Sequence, residues 1–442
     1  MKCILFSPVG KTDPITNYHD GSLIHISRKY RPEIIYLYIS KEMYEYHQLD
    51  NRYRKCLEWL QEKEQFISSI HVIERPDLID VQLFDYFYDE FDKELQQIHV
   101  IYPDYEILLN VSSGTPAMKS ALQFLAAASE CGYRAIQVSA PQKSANTEQY
   151  ELANYDLELY WELNEDNGQN YVDRCSESAT LMLNKRIKLE VIRKHIEAYD
   201  YRAALNVAKT IEKVIPEKLL YMLEGAQKRM ALDTSGAVKA FNKTDISPMP
   251  NLGSDKAPII EYMLGLQVKQ QRGDLVDFIR GITPVIVDIL ELILKEKCNM
   301  NIHDFCEKNR KGIMCTNRQK LERNFPDLFY HLDEIYDEPI QNKPLSSHIL
   351  VSIMDNKCDD LQLKNRAIKL REIEQGVRNT AAHEIVSVTE EFLVSKVEKN
   401  STQILKLMKQ LIQQGVSGIK SEVWNSYNDM NDMIIKEISK VV

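Results

Sequence analysis

Short apolar runs alternate with longer segments of helical period through the first part of the chain. The runs predict buried strands at Cys3–Phe6, Glu33–Ile39, Ile70–Ile73, Ile107–Val111 and Ala135–Val138. Strands separated by helix-length segments are typical of repeated βαβ units. We therefore expect an α/β domain with a mostly parallel sheet, which binds its ligand beyond the carboxyl ends of the strands.

Two loops of turn-forming and polar residues follow predicted strands at that edge. The first loop is Gly10, Lys11 and Thr12, and the second loop is Ser112, Ser113, Gly114 and Thr115. Thr115 suits a helix cap and Pro116 suits the first helical position. Backbone amides at a helix start, with nearby hydroxyl groups and Lys119 one turn further on, suit a phosphate or another anion. On these residues alone, a well-capped helix that binds nothing is an equal alternative.

A helical pattern takes over after the acidic, turn-rich stretch Asp156–Asp173. Residues 164–170 are the expected break after the sheet domain. Ile192 and Ile196 share a helix face and predict linker helices. The segment Thr234–Ala257, with its Gly, Pro and Ser content, predicts a long loop or hinge. We therefore expect three domains, at residues 1–170, 171–250 and 251–442.

The third region reads as all helical. Apolar positions from Leu275 to Ile293 predict core-facing helices, with Gly281 as a break and Pro284 at the start of a helix. Residues 364–374 are rich in strong helix formers.

Within that last helix, Lys364, Arg371 and Arg378 recur every seven residues. A helix places such residues on one face, which makes a basic stripe. The stripe ends at the motif formed by Arg378, Asn379 and His383. An imidazole with an ordinary pKa near ~6.5 can exchange a proton with a ribose hydroxyl, and a guanidinium binds phosphate oxygens. The pair therefore suits RNA cleavage without a metal.

The spacing of the motif limits how it can work. Five residues place Arg378 and His383 about 140° apart around a helix. Both can act on one phosphate if the arginine reaches around a helix end near Gly376, or if a second copy of the chain completes the site. A solvated arginine and a capping histidine are the alternative. His348, further upstream, is expected to be a satisfied, buried histidine rather than part of this groove.

Composition and charge narrow the function classes. The chain has 442 residues, a net charge of −10 and 44% hydrophobic residues, so nucleic acid must be bound by a local groove and stable binding of duplex DNA is not expected. The eight cysteines include no Cys-x-x-Cys pair. The set Cys298, His303, Cys306 and Cys315 fits no usual zinc spacing, so we expect no metal. We see no signal peptide or membrane span and expect a cytoplasmic protein.

The loops and the motif together resemble a known family. Residues 6–14 with Asp20-Gly21, and residues 110–119, are similar to the two signature loops of CARF domains, the Rossmann-like sensor domains of type III CRISPR systems. The Arg-Asn-x-x-x-His form of residues 378–383 resembles the nuclease motif of HEPN domains, which pair to form one composite site. In architecture, nearly the whole chain resembles the Csm-type stand-alone ribonuclease of that pathway.

The resemblance implies a homodimer in which paired CARF domains bind a cyclic oligoadenylate, with hexa-adenylate favoured. Binding then activates a metal-independent HEPN endoribonuclease that cuts single-stranded RNA in antiviral defence. Carried over to this sequence, the two loops contact the activator, and Arg378, Asn379 and His383 are catalytic. Lys11 stands where family members often have a polar amide, which leaves open whether the CARF site also cleaves its activator.

Two other functions remain open from the residues. One is a non-enzymatic, ligand-responsive regulator that joins the sheet domain to a helical DNA- or partner-binding module; the acidic balance and the Arg378/His383 pair disfavour it. The other is a nucleotide-dependent oxidoreductase, and the first loop lacks its Gly-x-Gly-x-x-Gly fingerprint.

Overall fold

The fold was analysed in a computed structural model that describes residues 2–129, 131–141, 155–169, 171–178, 180–336, 339–383 and 387–441, with side chains except those of 180–181 and 378–383. The chain divides into two compact units, residues 1–188 and 189–442. We call them unit 1 and unit 2.

Unit 1 is built on a six-stranded sheet with the strand order β5-β4-β1-β6-β7-β8. All neighbouring strands are parallel except β7 and β8, which are antiparallel. The strands, including a two-stranded hairpin of β2 and β3, are β1 (Cys3–Pro8), β2 (Ile15–Thr16), β3 (His19–Asp20), β4 (Ile34–Ser40), β5 (Ser69–Arg75), β6 (Glu106–Asn110), β7 (Arg134–Val138) and β8 (Cys175–Glu177). The predicted mostly parallel sheet is confirmed.

Helices cover both faces of this sheet, as expected for strands that are apolar on both sides. The helices of unit 1 are α1 (Ser22–Tyr30), α2 (Lys41–Asp50), α3 (Arg52–Glu64), α4 (Phe84–Ile101), α5 (Pro116–Ala128) and α6 (Leu157–Glu162). Along β1, Ile4 and Phe6 pack in the core that contains α4 and α5, whereas Cys3 and Leu5 pack in the core that contains α1 and α3. The alternation of side chains along a strand therefore supplies two cores from one run of residues.

One strand of the sheet lies beyond the predicted end of the sheet domain at residue 170. Strand β8 lies beyond it and pairs with β7, from Ile136 with Glu177 to Val138 with Cys175. The start of the predicted break at residues 164–170 is packed rather than open, because Asn164 is buried and its side-chain amide donates to Asp20 at 2.7 Å. Its turn residues form a tightly bound 3-10 turn, which turn propensity alone cannot distinguish from a linker.

Unit 2 is almost entirely helical, and α7 (Thr180–Glu197) crosses from unit 1 into it. Its other helices are α8 (Tyr201–Lys209), α9 (Glu217–Met230), α10 (Thr234–Phe241), α11 (Ala257–Gln271), α12 (Leu275–Lys297), α13 (Arg318–Asn324), α14 (Pro326–Ile335), α15 (Ser347–Lys357), α16 (Leu361–His383), α17 (Glu390–Val397), α18 (Ser401–Gly415) and α19 (Ser426–Val441). A short antiparallel hairpin, β9 (Cys306–Lys308) with β10 (Met314–Thr316), completes its described elements. The predicted combination of an α/β domain with a carboxyl-terminal helical domain is confirmed.

Part of the predicted loop at Thr234–Ala257 is helical. Asp233 caps α10 by accepting a hydrogen bond from the amide of Gly236 at 2.9 Å. Ala237 and Phe241 of this helix are buried. The serine and glycine at its start therefore belong to the first turn of a capped helix rather than to a loop.

The predicted break at Gly281 and Pro284 is absent. Both residues lie inside α12, which is continuous. A Cβ at Gly281 would lie 2.4 Å from the side chain of Leu266, so this glycine allows α11 and α12 to approach closely. Burial of the long apolar face of α12 offsets the ~3 kcal/mol that an interior proline costs.

Of the two alternatives for the motif, the helix end near Gly376 is not found, because α16 continues to His383. A Cβ at Gly376 would meet the side chain of Val397 at 2.7 Å. This glycine therefore serves the packing of α16 against α17.

In the described part of the chain, we find no helix with the length and apolarity needed to cross a lipid bilayer.

Candidate functional site

A pocket of about 640 Å³ lies in unit 1 at the carboxyl edge of the sheet. It adjoins β1 and β6, which are neighbours where the strand order reverses, since β4 and β5 follow on one side and β7 on the other. In open parallel sheets, this reversal point is where ligands bind. All eight residues predicted to contact the ligand line the pocket: Gly10, Lys11, Thr12, Ser112, Ser113, Gly114, Thr115 and Lys119.

The two loops touch through their glycines. A Cβ at Gly10 would lie 2.9 Å from the backbone nitrogen of Gly114 and 3.2 Å from the hydroxyl oxygen of Ser113. Gly114 itself has a φ of +85°, a left-handed conformation that favours glycine. A larger residue at Gly10 would therefore force the loops apart, and one at Gly114 would meet Met118 and Pro8.

Asp13 fastens the first loop to the second. Its buried carboxylate accepts hydrogen bonds from the amide of Gly10 at 3.2 Å, from the amide of Leu23 at 3.0 Å and from the hydroxyl of Ser113. Burial raises the pKa of Asp13, against the opposing effect of these hydrogen bonds. Since the hydroxyl of Ser113 is used in this bond, the side chain of Ser113 holds the loop rather than reaching into the pocket.

Two other hydroxyls of the second loop have internal partners. The hydroxyl of Ser112 accepts from the amide of Val138 on β7 at 2.7 Å. The hydroxyl of Thr115 donates to the carbonyl of Val81 at 2.7 Å and also caps α5, as its position before Pro116 predicted. These contacts set the shape of the pocket.

The mouth of the pocket carries charged groups. Lys11 forms an ion pair with Glu42 at 2.6 Å, and their hydrogen bond raises the pKa of Lys11. Both side chains are at least half exposed, so an anionic ligand can compete for Lys11 at small cost. Lys119 supplies a second cation to the lining.

Sequence reasoning missed half of the pocket. The end of β4 and the start of α2 contribute Ser40, Lys41, Glu42, Met43 and Glu45, and the segment before α4 contributes Leu78, Ile79 and Val81. The first group directly follows a predicted parallel strand, so the shared edge of the sheet was a usable signal. The second group follows an edge strand and carries no comparable pattern. It gives the pocket an apolar wall, which suits a flat heterocycle beside a phosphate.

A buried ion pair lies between α1 and β3, a strand that follows the first loop in the chain. Arg28 donates to both carboxylate oxygens of Asp20, at 2.7 and 3.0 Å, and to Glu64 at 3.0 Å. Burial by itself would raise the pKa of Asp20, but the hydrogen bonds from His25 and Arg28 outweigh it and lower this pKa to about 2. The pair joins β3, α1 and α3.

The side chains of Asp20, His25 and Asp166 come within 4.8 Å of one another, a spacing that also suits a metal ion. Arg174 fills the space between them: its guanidinium lies 2.9 Å from Asp166 and 3.1 Å from Nδ1 of His25. The arginines supply the positive charge here. We therefore interpret this cluster as structural.

In unit 2, Arg378, Asn379 and His383 lie in the last two turns of α16. Their side chains lie outside the described part of the structure. The basic stripe is present upstream: Arg371 is partly exposed and lies 3.8 Å from the buried carboxylate of Glu374. His348 contradicts its expected burial, because it is exposed on α15.

Three family models match consecutive parts of the chain. The Cas_Csm6 CARF domain matches residues 70–175, the CRISPR-associated protein Csm6 6H domain matches residues 178–230, and the Cas_Csm6 HEPN domain matches residues 248–435. The chain belongs to the Csm6 family. The resemblance inferred from the loops and the motif is thereby confirmed.

Curated members of the Csm6 family align over almost the whole chain. "CRISPR system endoribonuclease Csm6" of Mycobacterium tuberculosis (strain ATCC 25618 / H37Rv) is 29% identical over 438 residues, which is 98% of each chain. The protein of the same name from Streptococcus thermophilus is 27% identical over 452 residues, covering 98% of this chain and 99% of that protein.

A solved structure of the family shows the same fold. Enterococcus italicus Csm6 bound to cyclic hexa-2′-fluoro-hexa-dAMP superposes with a TM-score of 0.76 at 20% identity. The match covers 99% of this chain and 100% of that one.

Proposed function

We propose that the chain is an endoribonuclease of CRISPR antiviral defence that cuts single-stranded RNA after a cyclic oligoadenylate binds to unit 1. The observation that carries this proposal is the pocket where the strand order reverses, lined by all eight predicted ligand residues, in a chain that also matches the Csm6 HEPN domain. The curated relatives are named endoribonucleases, which supports the activity.

The activator fits the chemistry of the pocket. Lys11 and Lys119 suit phosphates, the loop backbone allows close approach, and the wall of Leu78, Ile79 and Val81 suits adenine rings. We favour a six-membered ring because the solved Enterococcus relative holds a cyclic hexanucleotide analogue. Cleavage of the ring by the same pocket is a possible secondary activity, for which Lys11 and its partner Glu42 are the groups to examine.

The catalytic mechanism is carried by the end of α16. The ribose 2′-hydroxyl attacks the adjacent phosphorus, and the 5′-oxygen of the next nucleotide leaves. His383 acts as general acid or base, a contribution of roughly 10² to 10⁴ in rate. Arg378 stabilises the charge that develops on the phosphorane oxygens, and Asn379 orients the histidine or the substrate. The products are a 2′,3′-cyclic phosphate and a 5′-hydroxyl, and no step needs a metal.

A second copy of the chain completes both sites in this proposal. Exposed apolar side chains cluster beside the pocket on α4, α5 and the segment before α4: Ile79, Leu83, Phe84, Tyr86 and Phe124. Ile79 also lines the pocket, and the rings of Phe84 and Phe124 contact each other with centroids 6.4 Å apart. Exposed apolar clusters of this kind mark interfaces. A homodimer through the patch would place two pockets side by side for one ring.

Three further assignments belong to the proposal. The domains are residues 1–170, 171–250 and 251–442, except that the strand Cys175–Glu177 belongs to the sheet of the first domain. The protein works in the cytoplasm. It forms no stable complex with duplex DNA. Activation follows from a higher affinity of the ring for the active arrangement of the dimer.

Cleavage of a fluorescent single-stranded RNA tests the proposal. We expect cleavage that depends on added cyclic hexa-adenylate, is unchanged by EDTA and is lost in His383→Ala. His303→Ala, which changes an exposed histidine outside the motif, is the matched control. Loss of activity in EDTA, or a His383→Ala variant that cuts as fast as the parent, would show that the mechanism is wrong.

A further inference from the structure

A cluster of polar and cationic side chains lies on unit 2 upstream of the motif. The hydroxyl of Tyr336 lies 2.6 Å from Nδ1 of His348, and the two rings meet edge to face with centroids 5.2 Å apart. The ammonium of Lys343 lies 4.6 Å from the centre of the Tyr336 ring. Partial desolvation of the ring lowers the pKa of His348, and Arg371 of α16 is close enough to lower it further.

The hydrogen bond to Tyr336 determines what His348 offers to solvent. A phenol is the natural donor to a neutral imidazole, so Nδ1 accepts and the other ring nitrogen, Nε2, carries the proton. The pKa of His348 is lowered, which favours the neutral form of the ring. An exposed N–H donor therefore stands beside a guanidinium and an ammonium group.

Arg371 is positioned by an ion pair that leaves some of its N–H groups available. Its guanidinium lies 3.8 Å from Glu374, which is buried and accepts a hydrogen bond from Ser347. Nε of Arg371 is buried and has no hydrogen-bond partner among the described residues. The side chain is still 22% exposed, so its other N–H groups, rather than the buried Nε, are the donors that can bind a phosphate.

The position of Arg371 connects the cluster to the motif. Residues seven apart in a continuous helix share a face to within about 20°, and they lie about 10 Å apart along the axis. Positions 371 and 378 of α16 have this relation. An RNA strand whose scissile phosphate lies at the motif would therefore pass the cluster within a few nucleotides.

We propose that Arg371, His348 and Lys343 form a second phosphate-contacting surface, which positions single-stranded RNA upstream of the catalytic motif. The inference rests on the proposed ribonuclease function. The three residues are positioning residues: they hold the RNA backbone and take no part in proton transfer. Tyr336 orients His348.

Steady-state cleavage with saturating activator tests the inference in the full-length chain. For Arg371→Gln and for His348→Asn we expect KM to rise about tenfold, as for the loss of a charge-assisted hydrogen bond, with kcat within about threefold of the parent. The same variants should bind a fluorescent 2′-O-methyl RNA more weakly in anisotropy titrations. The loss of the Arg371 contact should also lower the slope of log affinity against log salt by about 0.7, whereas His348→Asn, which removes an uncharged donor, should leave this slope unchanged.

Lys369→Gln is the matched control, because it removes a positive charge from an exposed position two residues earlier on α16, on another face. His348 is exposed, so His348→Asn also tests the proposal without the risk of leaving Glu374 buried and unpaired. If the parent cleaves RNA but these variants match Lys369→Gln in KM and in salt slope, the inference is overturned while the proposed function stands. If the parent does not cleave RNA at all, both fail.

Discussion

Replacing Gly10 with alanine tests whether the activator pocket depends on close approach of its two loops. The added Cβ would lie 2.9 Å from the backbone nitrogen of Gly114, and ordinary contact begins at 3.4 Å, so the loops must separate by about 0.5 Å. Backbone cannot give way as a side-chain tip can. Overpacking of this kind costs about 1 to 3 kcal/mol. If 1 or 2 kcal/mol of this cost falls on ring binding, the affinity drops by roughly 5- to 30-fold.

The assay is RNA cleavage as a function of cyclic hexa-adenylate concentration, together with thermal unfolding. We expect Gly10→Ala to raise the activator concentration at half-maximal rate by that factor, to lower the unfolding temperature of unit 1 and to leave the rate without activator unchanged. Gly265→Ala, where the new Cβ meets no atom within 4 Å, should do neither. An unchanged activation midpoint with an unchanged unfolding temperature would refute the idea that the glycine contact shapes the pocket.

Three other predictions follow from the same unit. Thr115→Val removes the hydrogen bond to the carbonyl of Val81, which costs about 1 to 3 kcal/mol, and should weaken the response to activator without changing basal cleavage, whereas Thr115→Ser should restore the response. Arg28→Met breaks a buried ion pair and should lower the free energy of unfolding by about 3 to 5 kcal/mol in urea titrations. Because the pKa of Asp20 is lowered from 3.8 to about 2, the free energy of unfolding of the parent should fall by about 2 kcal/mol as the pH drops from 3.8 to about 2. The free energy of unfolding of Arg28→Met should fall much less over the same pH range. Phe124→Asp should weaken the homodimer in sedimentation experiments and reduce activation with it.

Each of these has a contrary result. Equal loss of basal and activated cleavage in Thr115→Val would argue against a separate sensor. An Arg28→Met variant that keeps the parent's acid sensitivity would show that other carboxylates dominate it. A fully dimeric Phe124→Asp protein would move the interface away from the apolar patch.

The sheet was predictable because its strands are buried on both faces. Cys3 to Phe6 are all apolar and all buried, so a continuous apolar run was a sufficient signal. The loops were predictable for a related reason, since parallel strands bring their carboxyl ends to one edge. These two facts were sufficient to predict that the two loops line the pocket.

What sequence reasoning missed depends on contacts between distant residues. Ser113 looked like a ligand hydroxyl, but Asp13, one hundred positions earlier, takes its hydrogen bond. Pro284 looked like a helix start, but burial on both sides of it keeps α12 continuous. Gly376 looked like a helix end because its neighbour Val397, which explains the glycine, is remote in sequence. Local sequence propensities contain no information about these three sets of contacts.

The unbroken course of α16 has a consequence for how the protein behaves in a cell. With no helix end at Gly376 for the arginine to reach around, positions 378 and 383 lie about 140° apart on one helix, which favours the proposed site completed by a second copy of the chain. The rate of RNA cleavage per chain should then fall sharply on dilution and rise steeply with protein concentration. Expression level would set a threshold below which the nuclease is silent, however much second messenger is present.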